Sequence, residues 1–230
     1  MEFPLNKINE FFKSSDIKEG ITSLWGDFGV GKTTLSLQTA KSHAINKKKV
    51  LYIYTKPNLP FKKINSVFEN NLENALEYIS FIHTTTFDDI FNFIFDLEFV
   101  VLQDLKTKNG TYNLIIIDSM TDLYRLELNR EKKDKNFILN YKLNQLLANL
   151  VQLKQKYEIE LLIVNEISRR TQNGHTYDVE SGGNVMHYWV TNSIKIERSE
   201  IANNRKFILY RGHDTNPLIL NSMLSQRGFE

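Results

Sequence analysis

The chain has 230 residues, 41% of them hydrophobic, a net charge of +2 and no cysteine. That length and apolar content are enough for one large α/β core. The missing cysteines exclude a disulfide framework, a thiolate zinc site and a cysteine nucleophile. No apolar run reaches the ~18–20 residues needed to span a bilayer, and the opening MEFPLNKINEFFKSSD lacks the apolar centre of a signal peptide. Charge is segregated along the chain. Phe28 to Phe68 carries eight lysines and no acid, whereas Glu69 to Leu105 carries eight acids and no Lys or Arg. Solvated faces on neighbouring elements account for this, and a basic surface that attracts polyanions is the alternative.

In chain order, ITSLW (21–25) reads as a strand ending at Gly26, and Lys32 to about Ile45 as a helix. KVLYIYT (49–55) is the next strand, residues 58–78 are helical in part, and YISFIH (78–83) is a third strand. Thr86 followed by Asp89 has the spacing of a capping box, so a helix is expected from there to about Leu105. YNLIIID (112–118) is a near-continuous apolar run, as expected of a parallel strand covered on both faces. Leu139, Leu143, Leu146, Leu147, Leu150 and Leu153 recur at helical spacing and predict a helix over about 137–157. IELLIVNE (159–166) is another buried strand, and WVTNSIKIER, RKFILYRG and PLILNSM predict strands joined by turns. The alternation implies an α/β fold. A mostly parallel central sheet carries helices on both faces, and the tail adds C-terminal edge strands. No linker or repeat interrupts it, so residues 1–230 are read as a single domain.

GDFGVGKT (26–33) fits the pattern G-x-x-x-x-G-K-[ST] of a phosphate-binding loop. It follows a predicted strand and opens a predicted helix, as the mechanism requires. Gly26, Asp27, Phe28, Gly29, Val30 and Gly31 would wrap backbone N–H groups around phosphate oxygens, with Lys32, Thr33 and Thr34 opening the helix. Lys32 would reach the β- and γ-phosphates of ATP, and Thr33 would ligate Mg²⁺. Asp118 stands at the carboxyl end of a buried strand, where ligands of open α/β sheets bind, and is the candidate second Mg²⁺ carboxylate. Its other reading is a helix cap. Glu166 ends a third strand on the same expected edge.

LIIIDSMTDLYRLEL, the leucine-rich helix and YEIELLIVNEI together resemble the ATPase core of the RecA/RadA recombinases, and most of all its short archaeal RadB branch. IKEGITSLWGDFGVGKTTL (17–35) and SGGNVMHYWVTNSIKIER (181–198) extend the resemblance over about 17–210. It implies a RecA-like P-loop core without a separate N-terminal domain, in a cytoplasmic, nucleoid-associated accessory protein of homologous recombination and DNA repair. That protein would bind ATP and Mg²⁺, and its partners would be single-stranded DNA and a RadA-type recombinase or other repair proteins. No membrane would be involved. Two DNA-facing loops are implied, about 126–137 with Arg125, Arg130, Lys132 and Lys133 in or beside it, and 167–184. In the second, Arg169 and Arg170 would meet phosphates, and His175 and Tyr177 would stack on bases. Its glycines and polar residues predict a mobile loop. A cross-subunit residue, Arg211 or His213, is a further candidate. The alternative is a degenerate RecA-fold regulator or scaffold that uses ATP as a conformational ligand and binds a protein rather than DNA.

Three positions depart from the family's pattern. Where the family has a motif like YIDTEG, whose Glu activates the attacking water, this chain has YIYTKP, with Tyr54 at the Asp position and Lys56 at the Glu position. Where the family's sensor Gln follows Asn, this chain has Glu166. A protonated lysine is no base toward water. The expectation is therefore ATP binding with slow or absent hydrolysis. Lys56 and Glu166 either neutralise each other across the site, or Glu166 takes over as base.

Overall fold

The computed structural model describes residues 1–13, 20–105, 110–128, 133–172, 174–212 and 216–230. In chain order these form α1 (Asn6–Lys13), β1 (Ile21–Gly26), α2 (Lys32–Ile45), β2 (Val50–Tyr54), α3 (Phe61–Phe68), a short 3₁₀ turn, α4 (Leu72–Leu76), β3 (Ile79–His83), α5 (Phe87–Leu105) and β4 (Leu114–Asp118). There follow α6 (Met120–Glu127), α7 (Lys133–Tyr157), β5 (Glu160–Gln172), β6 (His175–Glu180), α8 (Gly183–Trp189), β7 (Val190–Arg198), β8 (Asn204–Arg211) and β9 (Leu218–Met223). The α/β class, the mostly parallel sheet and the antiparallel strands at its C-terminal edge agree with the sequence.

The strands run in the order β3-β2-β4-β5-β1-β7-β8-β9, and β6 pairs with β5. All pairs from β3 to β7 are parallel, while β8 and β9 add antiparallel. Successive side chains of a strand point to opposite faces, so the unbroken apolar run of β4 feeds two cores. Leu114 and Ile116 pack with Leu35, Leu37 and Ala40 of α2 and Ile64 of α3. Ile115 and Ile117 pack with Ile90 and Ile94 of α5 and Leu143, Leu146 and Leu150 of α7. That is why β4 has no polar residue before Asp118. The predicted capping box is present: the Thr86 N–H donates to Asp89 and the Asp89 N–H to Thr86 Oγ1, each at 3.1 Å.

Two local expectations are corrected, and one helix is added. The loop expected over 167–184 is a β-hairpin: β5 runs on to Gln172 and pairs antiparallel with β6, from Ile167↔Glu180 to Gln172↔His175. Of the loop expected over 126–137, the described residues are largely helical: α6 continues to Glu127, and α7 covers Lys133–Tyr157. Residues 6–13, which carried no prediction, form α1, anchored by the buried Ile8.

Glu166, expected to end its strand, lies within β5, which runs on to Gln172; parallel pairing brings it together with the ends of β1, β2 and β4. Gly26 pairs with Glu166, Asp118 with Val164, and Tyr54 with Asp118. The turn after β1, the acid of β4, the acid of β5 and the loop after β2 thus meet in space.

Candidate functional site

The turn 26–31 is shaped by positions where side chains do not fit. Gly26 has φ 150°, and a Cβ there would collide with the Ile196 carbonyl of β7. Gly31 has φ 108° and precedes the first turn of α2; a Cβ would meet the Phe229 ring at 2.6 Å. Val30 and Thr34 are buried and anchor the loop from below, while Phe28 is exposed and its carbonyl accepts a bond from Arg198 at 3.0 Å. The free N–H groups of the first turn of α2 point out of this cradle, which suits an anion.

Lys32 is buried. Its ammonium donates to the Gly26 carbonyl (2.8 Å), the Asp27 carbonyl (2.9 Å) and Glu166 Oε2 (2.8 Å). The other oxygen of the same carboxylate, Oε1, lies 3.5 Å from the Lys56 ammonium. Lys56 in turn lies 3.7 Å from Asp118 Oδ1. Its position is fixed by backbone: the Thr55 N–H donates to the Asp118 carbonyl, and the Thr55 hydroxyl bridges the Ser119 N–H and carbonyl at 2.8 Å each. His83 Nε2 sits 2.8 Å from the Lys56 carbonyl. Burial lowers the Lys56 pKa, but the Asp118 and Glu166 carboxylates outweigh it and hold the ammonium charged above the usual lysine range. Two ammonium groups and two carboxylates therefore alternate through the site: Lys32, Glu166, Lys56, Asp118.

Asp118 is fully buried. Its Oδ2 accepts a 3.0 Å bond from the Tyr52 hydroxyl, which lies 2.7 Å from Ser36 Oγ. Burial and the neighbouring Asp118 push the Tyr52 phenol well above its ordinary pKa, so it remains a neutral donor. Sequence reading missed this pairing, whose only signal is the alternation of β2, which puts Tyr52 and Tyr54 on one face. Among the described residues Asp118 Oδ1 has no hydrogen-bond partner, and it faces Lys56. Thr33, half-buried on the first turn of α2, and Asp118 are hard oxygen donors of the kind Mg²⁺ takes. The donor set fits in chemistry, and the unbonded Oδ1 fits a cation. The ammonium of Lys56 already stands on that side.

The hairpin sorts its candidate residues by face. Residues directly opposite on paired strands share a face. Arg170 pairs with Tyr177 and Gln172 with His175, so Arg170, Tyr177 and His175 share one side. Arg169 lies on the other side opposite Asp178, with 3.8 Å between Nε and Oδ1. Arg125 of α6 donates to the Ile167 carbonyl at the hairpin's foot (3.3 Å). Arg125, Arg169 and Arg170 line one cleft of about 620 Å³ with Gly182 and Gly183. Arg130, Lys132 and His213 lie outside the described residues. Arg211, at the end of β8, stacks on Phe11 with 4.0 Å between guanidinium and ring.

Glu180 joins hairpin and cradle. Its carboxyl accepts bonds from Ser23 of β1 (3.1 Å) and from Asn165, the neighbour of Glu166. Burial pushes it up to about 7, against those two bonds. Unfolded, the group titrates near its ordinary 4.5, so between 4.5 and 7 the folded chain holds a proton the unfolded chain has lost. Its contribution is most favourable below about 4.5 and declines as pH rises through 7, by up to roughly 3 kcal/mol. Calorimetric stability measured across this range should fall more steeply for the native chain than for Glu180→Gln. Parallel curves would show that Glu180 ionises at its ordinary pKa.

The sequence model of the Rad51 family matches residues 7–210. The chain belongs to the Rad51 family. It is 31% identical over 178 residues to the DNA repair and recombination protein RadB of Methanocaldococcus jannaschii, a match covering 77% of this chain and 78% of that one. RadB of Methanococcus maripaludis strain C7 is 30% identical over 194 residues (84% and 83% of the two chains), and RadB of Methanosphaera stadtmanae 26% over 209 (90% and 86%). The resemblance read from DSMTDLYRLEL and SGGNVMHYW thus stands: the chain is a RadB-like member of the recombinase superfamily. No described helix is long and apolar enough to cross a membrane.

Proposed function

We propose that this chain is an ATP-binding accessory protein of homologous recombination and DNA repair, one that binds single-stranded DNA and hydrolyses ATP slowly or not at all. Its partners on this reading are single-stranded DNA and a RadA-type recombinase. The observation that carries the reading is Lys56. An otherwise complete phosphate cradle has an ammonium at the position of the family's water-activating Glu, 3.7 Å from Asp118 and 3.5 Å from Glu166.

Lys32 and the N–H groups of the cradle would hold the β- and γ-phosphates. Thr33 and Asp118 are the residues that would hold Mg²⁺, which would neutralise charge developing on the transferred phosphoryl group. The residue at the base position cannot accept a proton, which removes a contribution of about 10²–10⁴-fold. ATP then stabilises the conformation that binds it, by mass action. Nucleotide titration and phosphate release on purified protein, with and without single-stranded DNA, test the reading. Saturable ATP binding with turnover far below motor ATPases is expected, and rapid multiple turnover would overturn it.

The shared face of Arg170, Tyr177 and His175 supports DNA contact, since it joins a cation to rings that can stack on bases. Arg169 is already opposed by Asp178. Arg170→Ala should therefore weaken single-strand binding more than Arg169→Ala, and lower the salt slope by about 0.7 for one lost phosphate contact. Fluorescence anisotropy of a labelled oligonucleotide at several salt concentrations measures both. If neither variant changes affinity, the scaffold reading, with a protein partner in place of DNA, replaces this one.

A further inference from the structure

The alternation of charges in the cradle bears on the metal requirement, and this inference rests on the nucleotide reading above. Glu166 presents one oxygen to Lys32 and the other to Lys56. The site is thus built to hold an anion between two ammonium groups, with a carboxylate of the chain in that place. Lys32 supplies one of these charges, as any phosphate loop does. The second stands beside Asp118, on the side of its unbonded oxygen. It is tethered to a loop clamped to β4 by Thr55, so it adds positive charge without recruiting an ion. A divalent cation brought to Asp118 Oδ1 would have to share that oxygen with a like charge 3.7 Å from it. In a half-buried site such repulsion is weakly screened.

We propose that the Lys56 ammonium acts as a built-in counter-cation for the bound triphosphate, so that nucleotide binding in this chain does not depend on Mg²⁺. Asp118 orients Lys56, and Glu166 holds the two ammonium groups in place until phosphate replaces it.

Linked ligands typically change each other's affinity about 5–150-fold. Isothermal titration of ATP is therefore run in excess Mg²⁺ and in excess EDTA. The native chain should bind with affinities that agree within about threefold. Lys56→Gln should lose about tenfold or more in EDTA and recover in Mg²⁺. Lys56→Arg keeps the charge and should stay indifferent to the metal. It also covers the case in which Lys56→Gln fails to fold, as judged by its thermal transition. The inference is overturned if the native chain loses tenfold or more in EDTA, or if Lys56→Gln is as indifferent as the native chain. If the native chain binds ATP in neither buffer, the nucleotide reading itself has failed.

Discussion

The double variant Lys56→Glu/Glu166→Gln should raise steady-state ATP turnover by about 10²-fold or more over the native chain. It returns a carboxylate to the family's base position and a neutral amide to its sensor position. The two changes depend on each other. Lys56→Glu alone places a third carboxylate beside Asp118 and Glu166 and removes one of two cations, so it should weaken nucleotide binding before it can speed chemistry. Glu166→Gln alone releases Lys32 from its ion pair and should tighten binding, but leaves no residue able to take a proton from water at position 56. Residues in one charge network are expected to be non-additive, and the full cycle of single and double variants measures that. A rate that stays at the native level in the double variant would remove Lys56 as the cause of slow hydrolysis. If native turnover is measurable and Glu166→Gln abolishes it, Glu166 is the base.

Lys32→Met should lower ATP affinity by about a hundredfold or more, the effect of losing charge-assisted bonds to the phosphates. Methionine keeps much of the buried stem of the side chain and removes its charge. The Gly26 and Asp27 carbonyls and Glu166 then lose a donor, so about 1–3 kcal/mol of stability should go with it. The thermal transition without ligand reads the stability loss. The further rise on adding ATP, present in the native chain and absent in the variant, reads the binding loss separately. A variant that still binds within a few-fold of native would place the phosphates elsewhere.

The sequence exposes some of this site and conceals the rest, for physical reasons. The cradle is legible because its parts are contiguous: a strand, a glycine turn and a helix start lie within 26–33. Asp118 is legible because an apolar run buried on both faces must end where its first charged side chain reaches an edge. Strand order is not legible, because parallel neighbours are joined by long crossovers and LIIID carries no mark of which strand it pairs with. The hairpin was misread for a related reason. ISRRTQ shows no alternation of apolar and polar residues, and in HTYDVE it is confined to Tyr177 and Val179, too short a run beside Gly174 to announce a strand. Backbone pairing makes those strands, with cross-strand side-chain pairs such as Arg169–Asp178 and Thr171–Thr176 beside it. The pairing of Lys56 with Glu166 was among the expectations, but Tyr52 as a partner of Asp118 and Lys32 as a partner of Glu166 were hidden, since they reach these carboxylates from β2 and α2.

The doubly held carboxylate of Glu166 also sets a threshold for entry. Any anion that seeks the Lys32 ammonium must first out-compete a group already attached to the protein, which loses little freedom by staying. Orthophosphate or sulfate has few bonds to offer in exchange. A polyphosphate tail gains Lys32, Lys56 and the amide cradle together, so the internal competitor filters out small ions that a bare loop would admit.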